Sequence, residues 1–165
     1  MYIPGAYVMK VNEGICQIVE LVTLRDPGST KGKEYYLLSP LETPTVKVYV
    51  LVEGAEHRIR PVMSRAAAEV LIARIRTIEA IPVQDERHRK QQYRQALHSG
   101  DPEQLVAMIK QTYQRNHRRN QQGKKNTAVD SRFFQLAEDR LYAELAFVLE
   151  TDRKGVCRLI EVQMK

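Results

Sequence analysis

The sequence predicts an α+β fold, a small antiparallel β barrel followed by a compact all-α domain. Three observations carry this. The apolar pattern changes period once, near residue 62, from short alternating runs to a helical repeat. Asn, Asp, Pro and Gly punctuate the first part, whereas helix-capping residues punctuate the second. The 165 residues, 43% of them apolar, suffice for one ordinary domain or two small ones. The change of period then sets the division, with domains over 1–62 and 63–165.

In the first part, "AYVMKVNEGICQIVELVTL" (6–24) is strand-forming and is broken by a tight turn at Asn12-Glu13-Gly14. "RDPGSTKGK" (25–33) is a loop. "EYYLLSPL" (34–41) and "TVKVYVLV" (45–52) are further strands, the second alternating Val46, Val48 and Val50 as a core face. Four or five strands with no helix among them hide their edges economically by closing on themselves.

From residue 64 the period is helical. Ser64 caps a helix in which Val70, Leu71, Ile75 and Ile78 share a face. After a break at Ile81-Pro82, Asp85 caps a second helix through Leu97 that Gly100 ends. Asp101-Pro102-Glu103 restarts the chain as a third, with a carboxylate cap, Pro at the first helical position and an acid in the first turn. Leu105, Met108, Ile109 and Thr112 continue its stripe. A polar connection, "RNHRRNQQGKKN" (115–126), leads to a last helix capped by Asp130. Phe134, Leu141, Leu145, Phe147 and Val148 form its apolar face, and it ends near Glu150.

Charge is distributed unevenly. Residues 1–80 hold 10 basic and 9 acidic groups, residues 81–125 hold 10 and 4, and residues 126–165 hold 6 and 7. The net +6 of the chain therefore equals the excess of the middle segment, a pattern that points to a polyanionic partner. Arg87, Lys90 and Arg94 fall at i, i+3 and i+7 and line one helical face, with His98 a turn further. Lys110, Arg115, Arg118, Arg119, Lys124 and Lys125 add charge along the next helix and its loop. Such side chains hold phosphates without reading sequence, and salt weakens their grip. Tyr93 and Tyr113, the aromatics among them, read as packing.

Catalysis finds no support. Cys16 and Cys157 match no metal or redox spacing, and no paired histidine motif occurs. "GSTKGK" (28–33) departs from the phosphate-loop pattern and precedes a strand. The expectation is a protein with no enzymatic activity, no cofactor and no small-molecule substrate. No run nears the length of a membrane span and no signal peptide is evident, so a cytoplasmic protein with reduced thiols is expected. The strand 45–52 carries few charges. At a sheet edge it would accept a partner strand; the pattern fits an interior strand equally.

These residues resemble the CarD/CdnL family of RNA-polymerase-binding transcription regulators, whose N-terminal module is shared with the transcription-repair coupling factor. The likeness runs through Gly5-Ala6-Tyr7-Val8, Gly14-Ile15 and Ile18, "GKEYYLL" (32–38), "TVKVYV" (45–50) and "IRPVMS" (59–64). Its most specific parts are "LHSGDPEQLVAMIKQTY" (97–113) and "AEDRLYAELAFVLE" (137–150). The resemblance implies a Tudor-like barrel that binds the RNA polymerase β subunit through Thr45, Val46, Lys47, Val48 and Tyr49. It implies a helical domain that contacts promoter DNA without sequence specificity and stabilises the open complex, as at ribosomal-RNA-type promoters. Arg87, Arg89, Lys90 and Lys125 occupy or neighbour the matching basic positions, and Arg94, Arg118, Arg119 and Lys124 extend the set. Many members place a Trp just ahead of the basic helix. This chain has no Trp, and Glu86 stands near that position, where it would repel phosphate. The alternative expectation is a protein–protein adaptor on RNA polymerase without direct DNA contact. RNA binding is a third.

Overall fold

The computed structural model describes residues 1–25, 27 and 31–164, the last by its backbone alone. Of the loop predicted over 25–33, residues 26 and 28–30 fall outside the described residues, and Lys33 already belongs to a strand. The chain forms an antiparallel sheet followed by five α-helices, and divides into two compact units over 1–62 and 63–165.

The first unit contains β1 (Tyr7–Lys10), β2 (Gly14–Leu24), β3 (Lys33–Pro40), β4 (Val48–Leu51) and β5 (Ile59–Pro61), with a single 3-10 turn at Ala55–His57. All neighbours pair antiparallel, in the order β4-β3-β2-β1-β5. The β1–β2 turn falls where Asn12-Glu13-Gly14 predicts it, and Gly14 has φ 73°, a left-handed conformation a Cβ would strain. Alternation then selects the core. Val8, Cys16, Ile18, Tyr36, Leu38, Val50 and Ile59 come from all five strands and join Ala55 in one buried cluster. One face of the sheet thus carries a shared interior, and among the described residues β4 and β5 do not pair to close it. A bulge between Ile18 and Glu20 shifts the register of β2 against β3; Val19 within it and Leu21 and Leu24 past it are exposed. Of the valines expected to form a core face, Val50 is buried, Val48 partly buried and Val46 exposed, because the strand begins only at Val48.

The second unit contains α1 (Arg65–Arg74), α2 (Glu86–Ser99), α3 (Pro102–Gln121), α4 (Ala128–Val148) and α5 (Arg153–Met164). The predicted caps at Ser64, Asp85 and Asp101 each accept first-turn amides, a bond worth about 1 kcal/mol. Gly100, at φ 64°, closes α2, and Asp101 opens α3 at once, so the two helices form a hairpin. Ala68, Leu71, Ile72 and Ile75 of α1, Tyr93 and Ala96 of α2, Leu105, Val106 and Met108 of α3, and Ala137, Leu141 and Leu145 of α4 build the core with Val156 of α5. Glu144, also buried, accepts the amide of Met63.

Several expectations change: on α4, Phe147 is exposed, and Phe133 packs on the core where Phe134 was expected. Val70 is exposed, and Ile72 takes its place inward. The tract 115–126 is a connection only in its second half, since α3 runs through Gln121. Thr127, not Asp130, caps α4: its hydroxyl accepts the Asp130 amide, and Asp130 turns inward. The helix after Glu150 was not foreseen. "RKGVCRLIEVQM" contains a glycine and two β-branched valines, yet Val156 and Ile160 supply enough of a stripe to seat it on the core.

Candidate functional site

In the sheet unit, the strand order leaves β4 and β5 at the two ends. The ends are built differently. β5 has three residues and finishes on Pro61, which cannot donate a ladder hydrogen bond, so that edge is blunted. β4 carries no such guard. Its register against β3 pairs Leu37 with Tyr49 and Leu38 with Val48. Residues directly opposite share a face, so Val48 goes with Leu38 toward the core and Tyr49 lies on the other face with Leu37, which is itself buried. Tyr49 is 48% exposed. Thr45, Val46 and Lys47 precede the strand in an exposed stretch that leaves a turn closed by the Val46 amide on the Thr43 carbonyl at 2.9 Å. The five residues singled out from the sequence are therefore contiguous along one unguarded edge, with a tyrosine and a lysine available to a partner.

In the helical unit, the ten basic residues of 81–125 separate into two populations. Four serve the fold. Arg89 is 6% exposed and corrects the expectation of a DNA-facing residue: its guanidinium bonds the fully buried Asp130 and, through Nε, the Glu86 carboxylate at 3.0 Å. Its place was set by spacing, since Arg89, Tyr93 and Ala96 fall at i, i+4 and i+7 on the inward stripe of α2. Arg115 completes the cluster, donating from Nε to Asp130 at 3.0 Å and to Glu86. Thr127 also donates to Asp130, at 2.7 Å. Two arginines and two carboxylates thus close a neutral ring that gathers the first turn of α2, the later part of α3 and the first turn of α4. Burial disfavours charge on Glu86, but the hydrogen bonds from Arg89 and Arg115 outweigh it and hold the carboxyl below its usual range. Lys110 donates to the carbonyls of Arg76 and Ile78, and burial lowers its pKa. Arg119 clasps the Lys125 carbonyl through two nitrogens at 3.2 and 3.1 Å.

The other six, Arg87, Lys90, Arg94, Arg118, Lys124 and Lys125, are exposed, and their charged groups meet no carboxylate among the described residues. Because the ion ring pins the start of α2 beside the end of α3 and the start of α4, Arg87, Lys90, Arg118, Lys124 and Lys125 collect at one end of the unit. Arg94 and His98 extend the row along α2. Tyr93 is packed as expected, buried edge-on against Phe133. Tyr113 is not: it is 64% exposed and lies parallel to the His117 ring. The signal was available, since Tyr113 falls outside the Leu105, Met108, Thr112 stripe. Among the described residues no group of His, Cys, Asp and Glu could hold a metal, and no helix is long and apolar enough to cross a membrane.

A β unit with one open edge, joined to helices with an uncompensated cationic end, is a layout for binding macromolecules. Residues 2–63 match the family model of the CarD-like/TRCF RID domain. The chain carries a CarD-like/TRCF RID module and is a transcription-related protein that interacts with RNA polymerase. The match ends where the helical unit begins, so the likeness of that unit rests on its own residues. No curated protein matches the chain.

Proposed function

We propose that this protein is a non-enzymatic regulator that tethers promoter DNA to RNA polymerase in the bacterial cytoplasm. The β4 edge and the stretch that leads into it, from Thr45 to Tyr49, add to the polymerase β subunit. The exposed cations of the helical unit hold the DNA backbone without reading its sequence, and the joint grip prolongs the open complex. The observation that carries the DNA half is the separation of basic residues: six stand exposed and uncompensated, five of them at one end. Glu86, which would repel phosphate if free, is instead engaged by Arg89 and Arg115 and subtracts little from that field.

A second reading, an adaptor on polymerase without DNA contact, is favoured by the internal use of the other four basic residues. Gel shift of the full-length protein on forked promoter DNA separates the two. The tether reading expects a shift that weakens steeply with salt, and an absent or salt-independent shift sinks it. For the docking half, Lys47→Glu should abolish capture of the polymerase β lobe and return the lifetime of the open complex at a ribosomal-RNA-type promoter to its value without the protein. Unchanged capture would remove the β4 edge from the account.

A further inference from the structure

Tyr113 and His117 stand one turn apart on α3, with ring centroids 6.3 Å apart and planes within 8° of parallel. Both are exposed, on a helix whose other exposed positions nearby, Gln114, Arg118, Asn120 and Gln121, are all polar. Gln121 sits against His117 Nε2 at 3.1 Å and braces the imidazole from the next turn. Arg118 follows directly, its Nε on the Gln114 carbonyl of its own helix, and Lys124 and Lys125 lie just beyond the helix end. A pair of exposed, parallel aromatic rings beside exposed cations has the composition of a single-strand-binding surface, where bases stack on rings and phosphates meet basic groups. Stacking accepts any base, because every base offers a π-face. That agrees with a cationic end that reads no sequence.

We propose that Tyr113 and His117 form a stacking strip for an unpaired nucleobase, so that the helical unit prefers DNA with a melted segment over intact duplex. This rests on the reading of the cationic end as a phosphate grip and names the state of the DNA that the grip selects. Tyr113 is the main platform, because its ring is the larger and only part of it is covered. His117 extends the strip toward Arg118.

The test compares the affinity of full-length protein for three labelled DNAs of one length: a duplex, the same duplex with a short mismatched bubble, and an oligo-dT strand. The wild type should bind the bubble and the single strand more tightly than the duplex. Tyr113→Ala should lower affinity for those two by about fivefold or more and leave duplex affinity unchanged, while Tyr113→Phe keeps the preference. Since Tyr113 is largely exposed, the Ala variant is expected to fold, which its far-ultraviolet circular dichroism checks. Duplex binding without a bubble preference overturns the stacking strip and leaves the phosphate grip standing. So does an equal loss on all three DNAs, or loss of polymerase capture by Tyr113→Ala, which would make the ring a protein contact. Failure to bind any of the three overturns both readings.

Discussion

Arg87 and Arg89 are separated by one residue of α2, and they do opposite things. The Arg87 guanidinium is exposed and meets no acid among the described residues, whereas that of Arg89 is buried and satisfied by Asp130 and Glu86. A helix turns by about 100° per residue, so two positions along place a side chain on nearly the opposite face. The same cation is then a free charge on one face and half of an internal ion pair on the other. Counting positive residues in a helix therefore overstates the surface it offers a polyanion. What matters is which of them fall outside the inward stripe.

The strongest way to break this comparison is to remove the acid that separates the two populations. Asp130→Ala leaves Arg89 and Arg115 without their shared carboxylate inside the unit. A loss of about 3–5 kcal/mol is expected, read as a lower urea midpoint at unchanged slope. If stability stays within about 0.5 kcal/mol, the ring is not what joins the three helices.

The exposed population is probed by Arg87→Gln with Lys90→Gln. Stability should move by less than about 0.5 kcal/mol, while the slope of log K for DNA against log salt should flatten by about 1.8 for two lost phosphate contacts. A slope unchanged in this variant would show that these cations do not touch the backbone.

The smallest effect sharpens the role of Glu86. Its carboxyl is held below the usual range, so its contribution is complete above about pH 4.3 and is lost as pH falls through the lowered folded value. The carboxylate side chain is 63% exposed, so screening keeps this below about 1 kcal/mol. Glu86→Gln should therefore flatten the acid limb of the stability curve slightly and leave the neutral plateau nearly in place. A steeper acid limb would contradict the sign.

Local chemistry was the legible part of this chain. Ser64, Asp85, Asp101 and Gly100 declare helix ends because a cap needs only its own next few residues. The change of period near residue 62 was visible for the same reason. Pairings across distance were not. Arg89 and Asp130 are 41 positions apart, and nothing in either neighbourhood names the other. Even so, the i, i+4, i+7 spacing of Arg89 with Tyr93 and Ala96 marked it as an inward residue, and Thr127 three positions before Asp130 has the spacing of a capping pair. The exposure of Tyr113 was legible in the same way, from its place beside rather than on the stripe of α3. That β4 lies at an edge was not legible, because alternation records which face is buried and is silent about the neighbours on either side.

The stretch between α1 and α2 has no regular structure, yet it is held at several points. Lys110 grips the carbonyls of Arg76 and Ile78, the Ile81 amide donates to the Ala107 carbonyl at 3.2 Å, and Gln92 donates to the Pro82 carbonyl at 2.9 Å. In deuterium exchange the Ile81 amide should therefore open with α3, on the slow timescale of the helical core, and not with the fast exchange usual for a connecting segment. A stretch that reads as a break at Ile81-Pro82 behaves instead as part of the helical scaffold.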